Sequence, residues 1–257
     1  MPQRIIALTP SLTEILFALE SGDRVVGVTD SCDYPAAARD LPNVGCWFDP
    51  DLAKLLALNP DLVLGLQTAH RKVKPELELH GIRFILVNPL TVEEAIADIA
   101  RIEEILGAHE VSERLVSALG ARLSAVDAAV SRIASESRQT ACRILDLDDG
   151  RFHVAGPLSF QYDIISRAGG QNVTGSKKEA YPKITLSELR EWNPQVIFNC
   201  GFDLNTIPAI ADKPEWQSLQ AVQSGNVFAF DCALTCRTGP RIVDMAELLF
   251  KTLYSVE

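Results

Sequence analysis

The chain has 257 residues, 47% of them hydrophobic and 7% aromatic, which is enough apolar material for one large domain or two small lobes and argues against a disordered chain. A formal charge of −10 and a pI near 5.0 exclude the basic surface that phosphate-backbone binding requires, so no nucleic acid is expected as a partner. No uninterrupted apolar stretch approaches the roughly 20 residues of a membrane-spanning helix, so membrane insertion is not expected either.

The chain starts Met1-Pro2-Gln3-Arg4, and the first apolar run, Ile5-Ile6-Ala7-Leu8, passes at once into Thr9-Pro10-Ser11. That is too short for a secretory leader, so the expected location is the cytoplasm as encoded, or the periplasm or a lipid anchor if an export segment was trimmed. Arg4–Leu8, Val25–Val28, Leu62–Leu66 and Phe84–Val87 read as buried strands, with helices at Leu12–Glu20, Leu52–Leu58, Val73–Leu79 and Val92–Leu106. This alternation predicts a mostly parallel sheet with both faces covered. Ser11-Leu12-Thr13-Glu14 has capping-box spacing, which places the first helix start at a strand's C-terminal end, where open α/β sheets hold ligands.

From Val111 to about Ser135, apolar residues recur at three- and four-residue steps (Val111, Leu115, Leu119, Leu123, Val126, Val130, Ile133), predicting one long amphipathic helix. A second strand-helix series follows: strands at Arg143–Leu147, Val196–Asn199 and Val227–Phe230, and helices near Ser159–Ala168, at Leu186–Trp192 and at Pro240–Tyr254. Asp146, Asp148, Asp149 and Gly150 read as a solvated hairpin turn, since the other ligands of a calcium loop are missing. The segment Leu52–Val63 aligns without gaps to Leu186–Ile197, so that Asn59-Pro60 matches Asn193-Pro194. The expected fold is therefore α/β, with two Rossmann-like lobes of mostly parallel sheet joined by a single long helix and a ligand cleft between them. Residues 1–110 form the first lobe, 111–138 the linking helix and 139–257 the second lobe.

These residues resemble the helical-backbone group of substrate-binding proteins of ABC importers, which carries cobalamin, haem and ferric siderophores, and most closely its cobalamin-binding branch. The carriers are Arg4-Ile-Ile-Ala-Leu-Thr-Pro-Ser-Leu-Thr-Glu14, Val26-Gly-Val-Thr-Asp-Ser-Cys-Asp-Tyr-Pro35, Leu58-Asn-Pro-Asp-Leu-Val63, Gly169-Gly-Gln-Asn-Val173 and Gly239-Pro-Arg241. The resemblance implies non-catalytic binding of one bulky metal chelate, cobalamin or a related corrinoid, with haem as the alternative ligand and no cofactor required. It implies aromatic side chains against the macrocycle, here Tyr34, Trp47, Phe48, Phe152 and Tyr181, with Arg237 as a ligand-contacting cation. Core packing competes with that role for Phe152.

The resemblance also implies a permease-docking glutamate in each copy of the repeated helix. Those positions are Ala53 and Ser187, which argues against docking on a standard ABC permease, although Asp51 and Glu188 lie close by. Five of the six cysteines, Cys32, Cys46, Cys200, Cys232 and Cys236, fall in loops or strand ends expected at the cleft and are candidate ligands for a soft metal, whereas Cys142 is assigned to packing. Of the histidines, His70 and His153 are placed near the cleft, with His153 the one to test as an axial ligand. No nucleophile elbow, P-loop, dinucleotide fingerprint or His-Glu-x-x-His helix occurs, so no enzyme activity is expected. The alternatives are an importer-coupled periplasmic binding protein for cobalamin, haem or a ferric siderophore, and a thiol-dependent metal enzyme or sensor.

Overall fold

The computed structural model describes residues 1–148, 150–200 and 212–255. The chain is α/β, with two sheets and two compact units. One unit comprises Met1–Pro89, Glu93–Gly120 and Thr238–Pro240, and the other comprises Leu90–Val92, Ala121–Arg237 and Arg241–Glu257.

The first unit is built on four parallel strands, β1 (Ile5–Ala7), β2 (Val25–Val28), β3 (Leu62–Leu66) and β4 (Arg83–Val87), in the order β2-β1-β3-β4. β1 is wholly buried, as a central parallel strand covered on both faces must be, and Ile6, Leu8, Val63, Leu55 and Leu77 share one core. The helices Pro10–Ala18, Leu52–Ala57, Lys74–Leu79 and Val92–Leu106 lie within two residues of their expected bounds. The start of the first helix differs. Thr9, not Ser11, is the N-cap, its Oγ1 accepting the Leu12 N–H at 3.4 Å, and Pro10 occupies the first helical position. Proline's fixed φ suits that position and its missing N–H costs nothing there, so the helix begins two residues earlier than the capping-box pattern implies.

The second unit carries a mixed sheet of β5 (Thr140–Asp148), β6 (Arg151–Val154), β7 (Gln171–Asn172), β8 (Lys183–Ile184), β9 (Val196–Cys200) and β10 (Val227–Phe230). Its order is β10-β9-β5-β6-β8, with β7 also paired to β5. β9 and β7 run parallel to β5 and β10 parallel to β9, whereas β6 and β8 form an antiparallel edge. β5 and β6 are the arms of the expected hairpin at the acidic turn; Asp149 lies outside the described residues. The long helix spans His109–Val130, ending five residues before the expected limit at a turn where the Ser131 and Ile133 N–H groups bond back to Asp127 and Val130.

The internal repeat extends to the details of its caps. Asp51 and Thr185, at matching positions, are the N-caps of the helices Leu52–Ala57 and Leu186–Trp192. Asn59 and Asn193 both adopt left-handed φ, 45° and 43°, before the prolines that lead into β3 and β9. Asparagine is tolerated in that region, and a following proline forbids helix continuation, so the same two-residue device ends each helix and aims each strand.

Candidate functional site

In the first unit the candidate residues cluster in the segment between β2 and the helix Leu52–Ala57. The Val44 N–H bonds to Val28 O at 2.9 Å and the Asp30 N–H to Gly45 O at 3.0 Å, which splices the segment onto the sheet edge. Gly45 sits at φ 104°, where a Cβ would meet the Asp51 nitrogen at 2.9 Å, so only glycine fits. The chain then reverses between Gly45 and Pro50 and presents Trp47 and Phe48 at the tip, ring centroids 3.5 Å apart and planes inclined by 32°. Phe48 is 64% exposed and Tyr34 48%, so both rings keep much of their surface open to solvent.

His70 fixes this turn from below. The Leu66 N–H donates to its Nδ1 at 2.9 Å, so the ring proton lies on Nε2, which donates to the Trp47 carbonyl at 2.5 Å. Burial holds its pKa below the usual histidine value, against the opposing effect of its backbone hydrogen bonds to Trp47 and Leu66. With both ring nitrogens committed to backbone, His70 positions Trp47 and has no lone pair for a metal. Cys32 is buried rather than open to a ligand, its sulfur accepting from Thr13 Oγ1 at 3.1 Å and lying 3.4 Å from Thr29 Oγ1. Cys46 is exposed on the turn.

In the second unit, Phe152 is 4% exposed and packs edge-on against Trp216, centroids 5.3 Å apart, inside the core shared by Ile144, Val154, Ile184, Leu189 and Ile197. This corrects its assignment as a ligand contact: on β6 its side chain faces the sheet interior. Tyr181 keeps 41% of its surface exposed, and its hydroxyl donates to Gln161 Oε1 at 3.0 Å; burial raises its pKa, while the Arg143 charge and the Gln161 bond lower it. Gln161 lines a small cavity with Arg143, Ile164, Phe198, Thr235 and Met245. Arg237 is half-buried just beyond the helix Cys232–Thr235. His153 pairs with Asp146 across the hairpin, Nδ1 to Oδ1 2.6 Å, leaving Nε2 as its remaining ring nitrogen.

Cys200, at the end of β9, and Cys232 and Cys236, around the helix Cys232–Thr235, bring their sulfurs within 2.9 to 3.5 Å of one another. Of the five candidate cysteines, the structure gathers these three; Cys32 and Cys46 belong to the first unit. The sequence reading missed Arg143, which is buried on β5 with Nη2 2.9 Å from Cys200 Sγ and 3.1 Å from Cys236 Sγ. Its signal was a lone cation among the apolar neighbours Ala141, Cys142, Ile144 and Leu145 of the strand.

Ala53 and Ser187 are exposed in the first turns of the repeated helices. The nearby carboxylates are engaged: Asp51 caps its helix through the Lys54 N–H, and Glu188 closes a capping box with Thr185 while accepting from Lys177 Nζ at 2.8 Å. The Lys177 bond and the Thr185 backbone N–H hold the Glu188 pKa down to about 2.

The model of the periplasmic binding protein family matches residues 5–233. An uncharacterized ABC transporter substrate-binding lipoprotein of Bacillus subtilis, YvrC, is 27% identical over 98% of this chain and 80% of its own length. The periplasmic vitamin B12 binding protein BtuF of Vibrio cholerae superposes with a TM-score of 0.85 at 24% identity, covering 99% of this chain and 97% of that one. The periplasmic heme-binding protein RhuT of Roseiflexus sp. RS-1 does so with a TM-score of 0.88 at 24% identity, covering 99% of both chains.

Proposed function

The chain belongs to the periplasmic binding protein family, and from that premise we propose that it is a non-catalytic binder of one bulky metal chelate, a corrinoid such as cobalamin ahead of haem. The names of its relatives, a vitamin B12 binding protein and a heme-binding protein among them, support this ligand class. The observation that carries the reading is the Gly45–Pro50 turn, which holds Trp47 and Phe48 ring against ring at the surface and is braced by His70. An exposed Phe48 ring set against a half-buried Trp47 suits the face of a macrocycle, because apolar area is buried there without a large ordering cost. We assign ligand contact to Tyr34, Trp47 and Phe48 in the first unit and to Tyr181 and Arg237 in the second, the guanidinium taking a phosphate or carboxylate of the ligand.

Titration of the protein with cobalamin, cobinamide and haem, read by calorimetry, tests this. Saturable one-to-one binding is expected, weakened about tenfold to a hundredfold in Trp47→Ala, as the loss of roughly 1.5 to 3 kcal/mol of apolar burial requires. No saturable binding to any of the three overturns the reading.

A second reading concerns delivery. Exposed Ala53 and Ser187, with Asp51 and Glu188 tied into helix caps, favour a binder that does not engage a permease through paired carboxylates. Uptake of labelled cobalamin by a reconstituted permease that depends on this protein and fails with Glu188→Ala would refute it.

A further inference from the structure

Three thiols of the second unit converge on one point. Cys232 and Cys236 stand one helical turn apart, 3.3 Å between sulfurs, and Cys200 reaches them from the end of β9 at 3.5 and 2.9 Å. The Arg143 guanidinium, buried on the adjacent strand, rests on two of these sulfurs, while its Nε and Nη1 have no hydrogen-bond partner among the described residues. A buried cation needs a counter-charge, and the sulfurs are where its one bonded nitrogen finds it.

We propose that Cys200, Cys232 and Cys236 are the three thiolate ligands of a site for one divalent thiophilic cation of the zinc type, paired with the Arg143 guanidinium. The charge balance selects the valence: three thiolates, one divalent ion and one guanidinium sum to zero, whereas a monovalent ion leaves a net negative charge beside Arg143. The geometry is close to what is needed. Zinc–sulfur bonds of about 2.3 Å in a tetrahedron set the sulfurs about 3.8 Å apart, so the triangle opens by less than about 1 Å on loading. Three protein ligands leave the fourth position for water or an incoming donor. Each thiol gives up its proton on binding, so affinity rises with pH.

The site is distinct from the chelate-binding role proposed above. A metal held in a macrocycle offers axial positions on opposite faces, and three sulfurs packed into one corner cannot ligate it together. Cys142 does not join the set: it is fully buried in the core, its thiol pushed up to about 12 by burial.

The test is direct titration of the reduced, full-length protein under anaerobic conditions with Zn2+ against a chromophoric competitor, and with Co2+ as a spectroscopic probe. One ion per chain is expected, with the sulfur-to-cobalt charge-transfer absorption of a three-thiolate tetrahedron. Cys232→Ser and Cys236→Ser each lose stoichiometric binding, while Cys46→Ser retains it. Should a serine variant unfold by circular dichroism, alkylation of the wild-type thiols with and without Zn2+ decides, protection of Cys232 and Cys236 being the expected result. Absence of stoichiometric zinc in the reduced protein, binding that survives in both variants, or loading by copper(I) alone overturns the proposal. Chelate affinity is read separately, so failure of one reading leaves the other standing.

Discussion

Replacing His70 with alanine removes the ring that joins the end of β3 to the turn carrying Trp47. Two backbone groups, the Leu66 N–H and the Trp47 carbonyl, lose their partners. An unsatisfied buried polar group costs about 1 to 3 kcal/mol, and both residues are only half-buried, so water recovers part of it; the expected loss is about 2 to 4 kcal/mol. His70→Asn retains an acceptor near the Nδ1 position and should lose roughly half as much. Because burial depresses the pKa of His70, protonation favours the unfolded chain. Its contribution is complete above the unfolded value of about 6.5 and is lost at up to about 1.4 kcal/mol per pH unit as pH falls toward the folded value. Urea unfolding at pH 7.5 and 5.5 measures both effects: wild type loses more stability on acidification than His70→Asn. A His70→Ala variant within about 0.5 kcal/mol of wild type, or an acid-dependent loss equal in wild type and His70→Asn, would refute the bracing role.

Phe152→Ala should destabilise the second unit by about 3 to 5 kcal/mol, through the cavity and the lost edge-on contact with Trp216, and leave the chelate Kd of the remaining folded protein unchanged; denaturation and calorimetry check the two halves. Glu188→Ala should cost about 1 kcal/mol at neutral pH, a capping-scale effect after allowing for a partly exposed carboxylate. With a folded pKa of about 2 against an ordinary 4.5, that contribution is present above pH 4.5 and fades as pH falls through 2, so wild type and variant should converge in acid unfolding.

Periodicity made the elements legible. Val92–Leu106, Leu186–Trp192 and Val227–Phe230 fall where the apolar pattern puts them, because helix and strand each write their period into the spacing of apolar residues. The repeat around Asn59-Pro60 and Asn193-Pro194 was equally readable, since left-handed asparagine and proline act locally. Caps were less so. Ser11-x-x-Glu14 and Thr185-x-x-Glu188 share one pattern, yet only the second is a capping box, because Pro10 claims the first helical position in the other. The short antiparallel strands β6 and β8 carry too few residues to show a period.

At the candidate site, tertiary contacts decided what local pattern could not. Phe152 reads as a loop aromatic until Trp216, distant in sequence, closes over it. The four-residue spacing of Cys232 and Cys236 stands in the sequence, but their place around a short helix, the grouping with Cys200 and the exclusion of Cys32 depend on sheet register and on the threonines around Cys32.

The central claim, a binder of one bulky metal chelate, is tested most directly by native mass spectrometry of the protein offered cobalamin, cobinamide, haem and a ferric siderophore at equal concentration. A single adduct of one chelate per chain is expected, a corrinoid ahead of haem, depleted in Trp47→Ala. A spectrum of unliganded protein at concentrations that saturate an authentic binder would contradict it.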